Sequence, residues 1–372
     1  MANPPVTSNK WHYPRIELAQ KYLTILDTGL TRTIALFARR RTGKTEFITH
    51  DLLPQAELNG AYTYTVDFWA NETLPEECIV TGVMQTFHEL PIRKKLKGQP
   101  LKEFQAGLSG LSASVGKPSI STINQAFELM RQIHAKDKVK VILFLDEIQH
   151  LATRTEFSPV ASALRTFIDK NKPWLNVVFT GSSQDGLKRL FTQKKSAFYD
   201  SVSILDFPLL GSDYVAYTVE EFNKFTSKTL NLSEALRVFN KVNGSPDKFG
   251  QLIQMLLNNK SAAIEAIYQE NKEALNDDYD VATRWEALSD IDSSVLGMII
   301  DKIESEVSYG LYSKSAYLRV KGDTGLEVVT KSTIQNSIDR LRAGNWIFSA
   351  GHGKWSLEDE TDMAFIKSQI RD

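Results

Sequence analysis

The chain has 372 residues, 42% of them hydrophobic and 24% charged, with a net charge of −1. That describes two or three domains with ample core and excludes both a disordered chain and a wholesale polyelectrolyte binder, so any nucleic-acid surface is a local patch. The single cysteine, Cys78, excludes an internal disulfide framework and a cysteine-based zinc site. No apolar run is long enough to span a bilayer, and the opening MANPPVTSNKW lacks the basic and apolar regions of a secretion signal. A reducing, cytoplasmic setting without membrane contact is expected.

Residues 1–13 are polar and proline-containing and are expected to form a mobile arm. Ile16, Leu18, Ala19, Tyr22, Leu23 and Leu26 recur near helical spacing and predict a helix over 14–30. Ile34 to Phe37 is a short apolar run suited to a buried strand. A turn over 38–43 follows, and Lys44-Thr45 opens a helix expected to end before Pro54. Residues 61–67, AYTYTVD, read as the next strand. Residues 71–90 read as a helix broken near its start by Pro75. Residues 93–97 are a basic run of the kind that covers a solvated face, and 108–115 suggest a hairpin or edge-strand insertion.

Helical periodicity returns over 120–134. Val139 to Leu145, VKVILFL, is an almost continuous apolar strand that ends in Asp146-Glu147. A helix over 160–169, a strand over 176–180 and a strand over 202–205 complete the alternation. Strands alternating with helices predict an α/β fold, a mostly parallel sheet with helices on both faces. Four helices and no strand are expected within 212–285, which reads as an all-helical lid. The last part has helices at 292–306 and 315–321, and a third capped by Thr330 with Ile334, Ile338 and Leu341 on one face. Strand-like pieces at 345–350 and 354–357 follow, the element order of a winged helix. The expected division is an α/β core at 1–211, a helical lid at 212–285 and a winged-helix domain at 286–372.

Two of these stretches carry chemistry. Residues Ala38, Arg39, Arg40, Arg41, Thr42, Gly43, Lys44 and Thr45 approach the phosphate-loop pattern G-x-x-x-x-G-K-[ST], with alanine in place of the first glycine. Such a loop aims backbone N–H groups at nucleotide phosphates, its lysine reaches the β/γ-phosphates, and its hydroxyl holds Mg²⁺. The apolar strand ending in Asp146-Glu147 is the Walker B pattern: Asp146 joins Thr45 in holding Mg²⁺, and Glu147 is placed to orient and polarise the attacking water. ATP and Mg²⁺ are the expected cofactors. The six histidines form no metal-ligand spacing with one another or with Cys78. Between Leu311 and Trp355 basic residues outnumber acidic ones. Lys331, Arg340, Arg342 and Lys354 are candidates for duplex DNA, with protein contact the alternative; Trp346 and Trp355 read as core of the hairpin.

ARRRTGKTEF, VILFLDEIQHL, VVFTGSS and NGSPDKF together resemble the AAA+/STAND-type P-loop ATPases of the group called archaeal-type ATPases, over residues 14–260. The resemblance implies a sensor hydroxyl at Thr180, with Ser182 as its rival, which would make Thr180 part of the catalytic set beside Lys44 and Glu147. It implies a second sensor after the Gly244-Ser245-Pro246 turn, but relatives often carry arginine where this chain has Asp247. Lys248 is the neighbouring cation, and a solvated lysine at a helix start is the plainer reading. For an arginine finger the sequence offers Arg189, with Arg154 and Arg165 as more distant options. The implied activity is conversion of ATP and water to ADP and phosphate, slow or partner-stimulated, with an ATP-dependent homo-oligomer expected. The protein would act on DNA or a DNA-bound partner in transposition, replication or mobile-element maintenance. The alternatives are an ATP-gated signalling or defence switch whose winged helix contacts protein, and a nucleotide-binding scaffold with negligible turnover.

Overall fold

A computed structural model describes residues 10–37, 41–71, 73–89, 120–181, 187, 190–192, 194, 196–226, 228–259, 263–275, 281, 284–304, 310–351, 354–358 and 362–371. The expected basic run at 93–97 and the hairpin at 108–115 lie outside these residues.

The first half builds a five-stranded sheet from β1 (Thr33–Phe37), β2 (Tyr62–Asp67), β3 (Val141–Asp146), β4 (Leu175–Gly181) and β5 (Ser203–Asp206). The strand order is β2-β3-β4-β1-β5 and every pairing is parallel. Side chains alternate between two covered faces, which is why β1, β3 and β4 read as largely apolar runs. Ile34, Leu36, Ile142 and Phe144 pack on one face, under α1 (Ile16–Asp27) and the helix after the phosphate loop. Val141, Leu143, Leu145, Val177 and Phe179 pack on the other, under α4 (Pro75–Glu89), α5 (Ile120–Asp137) and α6 (Ser158–Asn171). Parallel pairing brings all carboxyl ends to one edge: Leu36 lies level with Thr180, and Asp67 level with Asp146.

The helix after the phosphate loop does not stop before Pro54. α2 (Lys44–Phe47) passes through a π-helical turn (Ile48–Leu52) into α3 (Leu53–Leu58). Proline has no N–H to give and its ring crowds the preceding turn. The wider turn, in which the Leu53 N–H donates to the Ile48 carbonyl, accommodates both effects.

Four further helices, α7 (Ser212–Phe225), α8 (Leu232–Lys241), α9 (Pro246–Asn258) and α10 (Ile264–Leu275), enclose their own core of Val215, Phe222, Val238, Phe249, Leu252 and Ile264. Asn231 and Ser245 cap α8 and α9 by accepting N–H bonds from the first turns. The last cluster joins α11 (Asp290–Ile303), α12 (Lys314–Thr324), α13 (Lys331–Ala343) and an antiparallel pair, β6 (Ile347–Gly351) and β7 (Lys354–Leu357). Thr330 caps α13 in a reciprocal box with Thr333, and Ile334, Ile338, Leu341 and Trp346 are buried. A closing helix, α14 (Met363–Arg371), is not anticipated by the sequence pattern; its Ile366 completes this core.

Candidate active site

A cavity of about 810 Å³ opens at the carboxyl edge of the sheet. Its floor is the start of α2, where Gly43 (φ +81°) turns the chain so that Lys44 and Thr45 begin the helix. Gly43 suits this left-handed turn because it carries no Cβ. Arg41, Thr42, Gly43, Lys44 and Thr45 all line the cavity. Ala38, Arg39 and Arg40 lie outside the described residues.

The acidic wall comes from the ends of β2 and β3. Asp67, Asp146 and Glu147 line the same space. The Lys44 ammonium is buried and lies 3.8 Å from Glu147 Oε1. Glu147 sits in the left-handed region (φ 52°), just beyond the strand, and its N–H donates to Asp146 Oδ1 at 3.0 Å. The sequence pattern does not single out Asp67, although AYTYTVD ends in an acid as VILFLDE does. Desolvation pushes its carboxyl above the ordinary range. The Trp69 N–H opposes that shift, and the neighbouring charges of Asp146 and Glu147 add to it.

Thr180 is not in the cavity. It is 2% exposed, and its hydroxyl donates to Asp146 Oδ1 at 2.5 Å. The hydroxyl expected to touch phosphate or water here meets Asp146, because the level register of β3 and β4 draws Thr180 onto the β3 carboxylate. Its rival Ser182 lies outside the described residues, as does Arg189. Arg165 is tied to Asp169 at 2.5 Å, and Arg154 lies over Phe157.

The roof is helical. Gly43 faces Leu210 and Pro246, and Arg41 approaches Asp247 at 3.8 Å. Pro246, Asp247 and Gly250 of α9 line the cavity, and Lys248 does not. Lys248 is 7% exposed, so the expectation of a solvated lysine is corrected. At the far end the chain just before α1 closes the space with Trp11, His12, Tyr13 and Arg15. These residues contradict the expected mobile arm over their part of it. Trp11 meets Phe225, Tyr13 meets Tyr214 and Tyr217, and His12 Nε2 lies 3.0 Å from the buried Asp51. The Arg15 N–H also donates to Asp51, at 3.1 Å, and the Arg15 guanidinium lies over Phe207. Burial pulls the Arg15 guanidinium below its ordinary value, partly offset by Tyr22 and Asp51. Only the WHYP composition hints at this strap; its partners are distant in sequence.

Among the described residues no group of three or more His, Cys, Asp or Glu could hold a metal ion by itself. Among the oxygen donors that line the cavity, Thr45 and Asp146 suit Mg²⁺, which takes few protein ligands and fills its sphere with phosphate oxygens and water. No helix among the described residues is long and apolar enough to cross a membrane.

The DNA candidates are dispersed in their surroundings. The Lys331 ammonium lies 5.6 Å from the centre of the Tyr312 ring, and the Arg342 guanidinium 5.5 Å from that of Trp355. Arg340 does not project freely. Its guanidinium clasps the buried Asp292 carboxylate with bonds of 2.8 to 3.2 Å, because Asp292 on α11 needs a counter-charge. The Lys354 side chain lies outside the described residues.

Neither a family model nor a curated protein matches the sequence. Solved structures do match its shape. The chain is similar to a Walker-type ATPase of Pyrococcus abyssi at 16% identity and a TM-score of 0.57, over 98% of this chain and 99% of that one. It is also similar to the ORC2 protein of Aeropyrum pernix in its ADP form, at 12% identity and a TM-score of 0.61, over 96% and 92%. At such identities the likeness concerns the fold. The chain has the fold of the AAA+ P-loop ATPases.

Proposed function

We propose that this chain binds ATP in the cavity, hydrolyses it slowly or under a partner's stimulus, and uses the cycle as a molecular switch acting on DNA or a DNA-bound partner. One observation carries the reading: Lys44 and Thr45 meet Asp146 and Glu147 in one cavity that is roofed by a helical unit with its own core. The likeness to a Walker-type ATPase and to a protein solved with ADP supports the nucleotide part.

The aromatic side chains of Trp11, Tyr13 and Tyr214 suit a base, and the turn from Gly43 to Thr45 suits phosphates. Lys44 would leave Glu147 for the β/γ-phosphates. Thr45 and Asp146 would hold Mg²⁺, which supplies neutralisation of phosphate charge when bound. Thr180 and the Glu147 N–H both donate to Asp146 Oδ1, so they fix that carboxylate where it would hold the cation. Glu147 would orient the attacking water. Nucleotide would connect the sheet edge to residues 212–285, which the Arg41–Asp247 pair already links to the phosphate loop. Hydrolysis would release that connection. We assign 1–211 to the ATPase core, 212–285 to the lid and 286–372 to a winged helix, with Lys331, Arg342 and Lys354 toward duplex DNA. The commitment of Arg340 to Asp292 narrows the basic surface and favours the second reading, a C-terminal unit that contacts protein.

Equilibrium binding of a fluorescent ATP analogue, paired with phosphate release, tests the site. Lys44→Ala should lose tight binding, whereas Glu147→Gln should keep it and stop turnover. Unchanged nucleotide affinity in Lys44→Ala would overturn the assignment.

A further inference from the structure

Gln149 is two residues beyond Glu147, in the short 3-10 turn Ile148–Ala152, and only 6% exposed. Its amide donates to Glu147 Oε2, while Glu147 Oε1 is the oxygen that faces Lys44. The amide therefore has one sensible orientation: its NH₂ toward the carboxylate and its oxygen away from it. The oxygen, Oε1, is buried and has no hydrogen-bond partner among the described residues. An unsatisfied buried acceptor costs stability, and such a cost is retained where the arrangement serves something else.

What makes room for it is Gly181, the last residue of β4. A Cβ built on Gly181 would stand 2.2 Å from Gln149 Oε1 and 3.1 Å from its Cδ. Gly181 is not in a left-handed conformation, so space rather than backbone angle is the reason to lack a side chain. The same strand end supplies Thr180, which holds Asp146. One strand terminus thus seats both acids, Asp146 directly and Glu147 through Gln149.

We infer that Gln149 is a positioning residue for ATP hydrolysis: it holds Glu147 by one oxygen so that the other faces the attacking water, and Gly181 is the slot that keeps it there. The inference rests on the hydrolytic reading of the cavity. It follows that Gln149 acts on the chemical step and not on nucleotide affinity, because it reaches the cavity only through Glu147 and is not itself part of the lining. The left-handed backbone at Glu147 adds to the need for such a tether, since the residue leaves the strand without ladder bonds of its own.

The experiment is a double-mutant cycle on the full chain, read by single-turnover phosphate release and by equilibrium binding of a fluorescent ATP analogue with Mg²⁺. Gln149→Leu keeps the volume and removes the donor; it should lower the hydrolysis rate about 10- to 100-fold, the cost of a misplaced reacting group, with nucleotide affinity within about twofold of wild type. Gly181→Ala should do the same, since the atoms a Cβ would meet are the end of the Gln149 side chain and, at 3.0 Å, the end of the Leu187 side chain, both of which can move without unfolding the strand. In the Gln149→Leu background, Gly181→Ala should add little, because both act through one contact. Wild-type turnover that Glu147→Gln abolishes but Gln149→Leu leaves intact would overturn this inference alone. Independent, multiplying losses from the two substitutions would overturn the slot. Absence of turnover in the wild type, alone or with duplex DNA, would overturn the hydrolytic reading and this one with it.

Discussion

At the level of single residues, the acidic wall is where the fold places charge at a cost. Asp67 is partly desolvated beside Asp146 and Glu147, and its carboxyl is held above the ordinary range. A raised carboxylate means that the folded state disfavours ionisation. The penalty is absent below the unfolded pKa, sets in as pH rises, and is complete above the folded pKa. Asp67→Asn should therefore raise the melting temperature of the nucleotide-free protein by about 1 °C at neutral pH, a small effect because the side chain keeps much of its exposure to solvent. The gain should vanish near pH 3 and shrink when Mg²⁺ and ATP bring positive charge to the wall, as expected for a carboxylate of roughly ordinary unfolded pKa. Thermal melts at the two pH values check the sign; a loss of stability at neutral pH would contradict the repulsion. The same carboxylate wall explains why buried Lys44 leans toward Glu147.

At the level of elements, two links decide how parts meet. The strap before α1 joins the helical roof to the phosphate-loop helix. Trp11 and Tyr13 touch α7, the Tyr217 hydroxyl donates to the Lys10 carbonyl, and His12 and Arg15 meet Asp51 in the π-helical turn. Trp11→Ala with Tyr13→Ala should weaken the fluorescent nucleotide analogue about 10-fold, through the smaller aromatic surface offered to the base, while single-turnover hydrolysis at saturation changes little. The second link is Asp292 on α11, which accepts bonds from Arg340, Ser337 and Ser289. Burial alone would raise its carboxyl, but these donors outweigh it and hold it below the usual range. A depressed carboxylate contributes stability above its unfolded pKa and loses it as pH falls through the folded one. Arg340→Ala should cost about 2 kcal/mol near pH 7, discounted because Arg340 is half exposed. The difference from wild type should shrink as pH falls below the ordinary carboxylate range, toward the depressed folded pKa of Asp292. Urea unfolding followed by the fluorescence of buried Trp346 measures it.

At the level of the whole molecule, the proposed division predicts that nucleotide and DNA are sensed by separate units. Fluorescence anisotropy of a labelled duplex against salt, with the full chain, should show affinity falling steeply as condensed counterions are released. Lys331→Ala and Arg342→Ala together should flatten the logarithmic slope by about 2, one for each phosphate that is no longer neutralised. Arg340→Ala should act through folding instead. No binding at low salt, with or without ATP, would leave protein contact as the C-terminal role.

Local pattern is enough to read the strands, because β1, β3 and β4 are covered on both faces and are therefore mostly apolar. The helical stretch 212–285 and the cap at Thr330 are equally legible, since helix periodicity and capping are short-range properties. So are the turn before Lys44 and the acidic end of β3, local patterns that the fold brings to one cavity. What tertiary structure alone decided depends on parallel register and on contacts between distant segments. It set the sheet order and brought Asp67 level with Asp146. It turned Thr180 toward a carboxylate, and gave Arg340 an internal partner instead of an open face. Pro54 stayed inside a helix because a wider turn, which no local propensity announces, made room for it. Trp11 and Tyr13 became walls of the cavity because their partners lie some two hundred residues away, on a helix whose position is fixed by its own core.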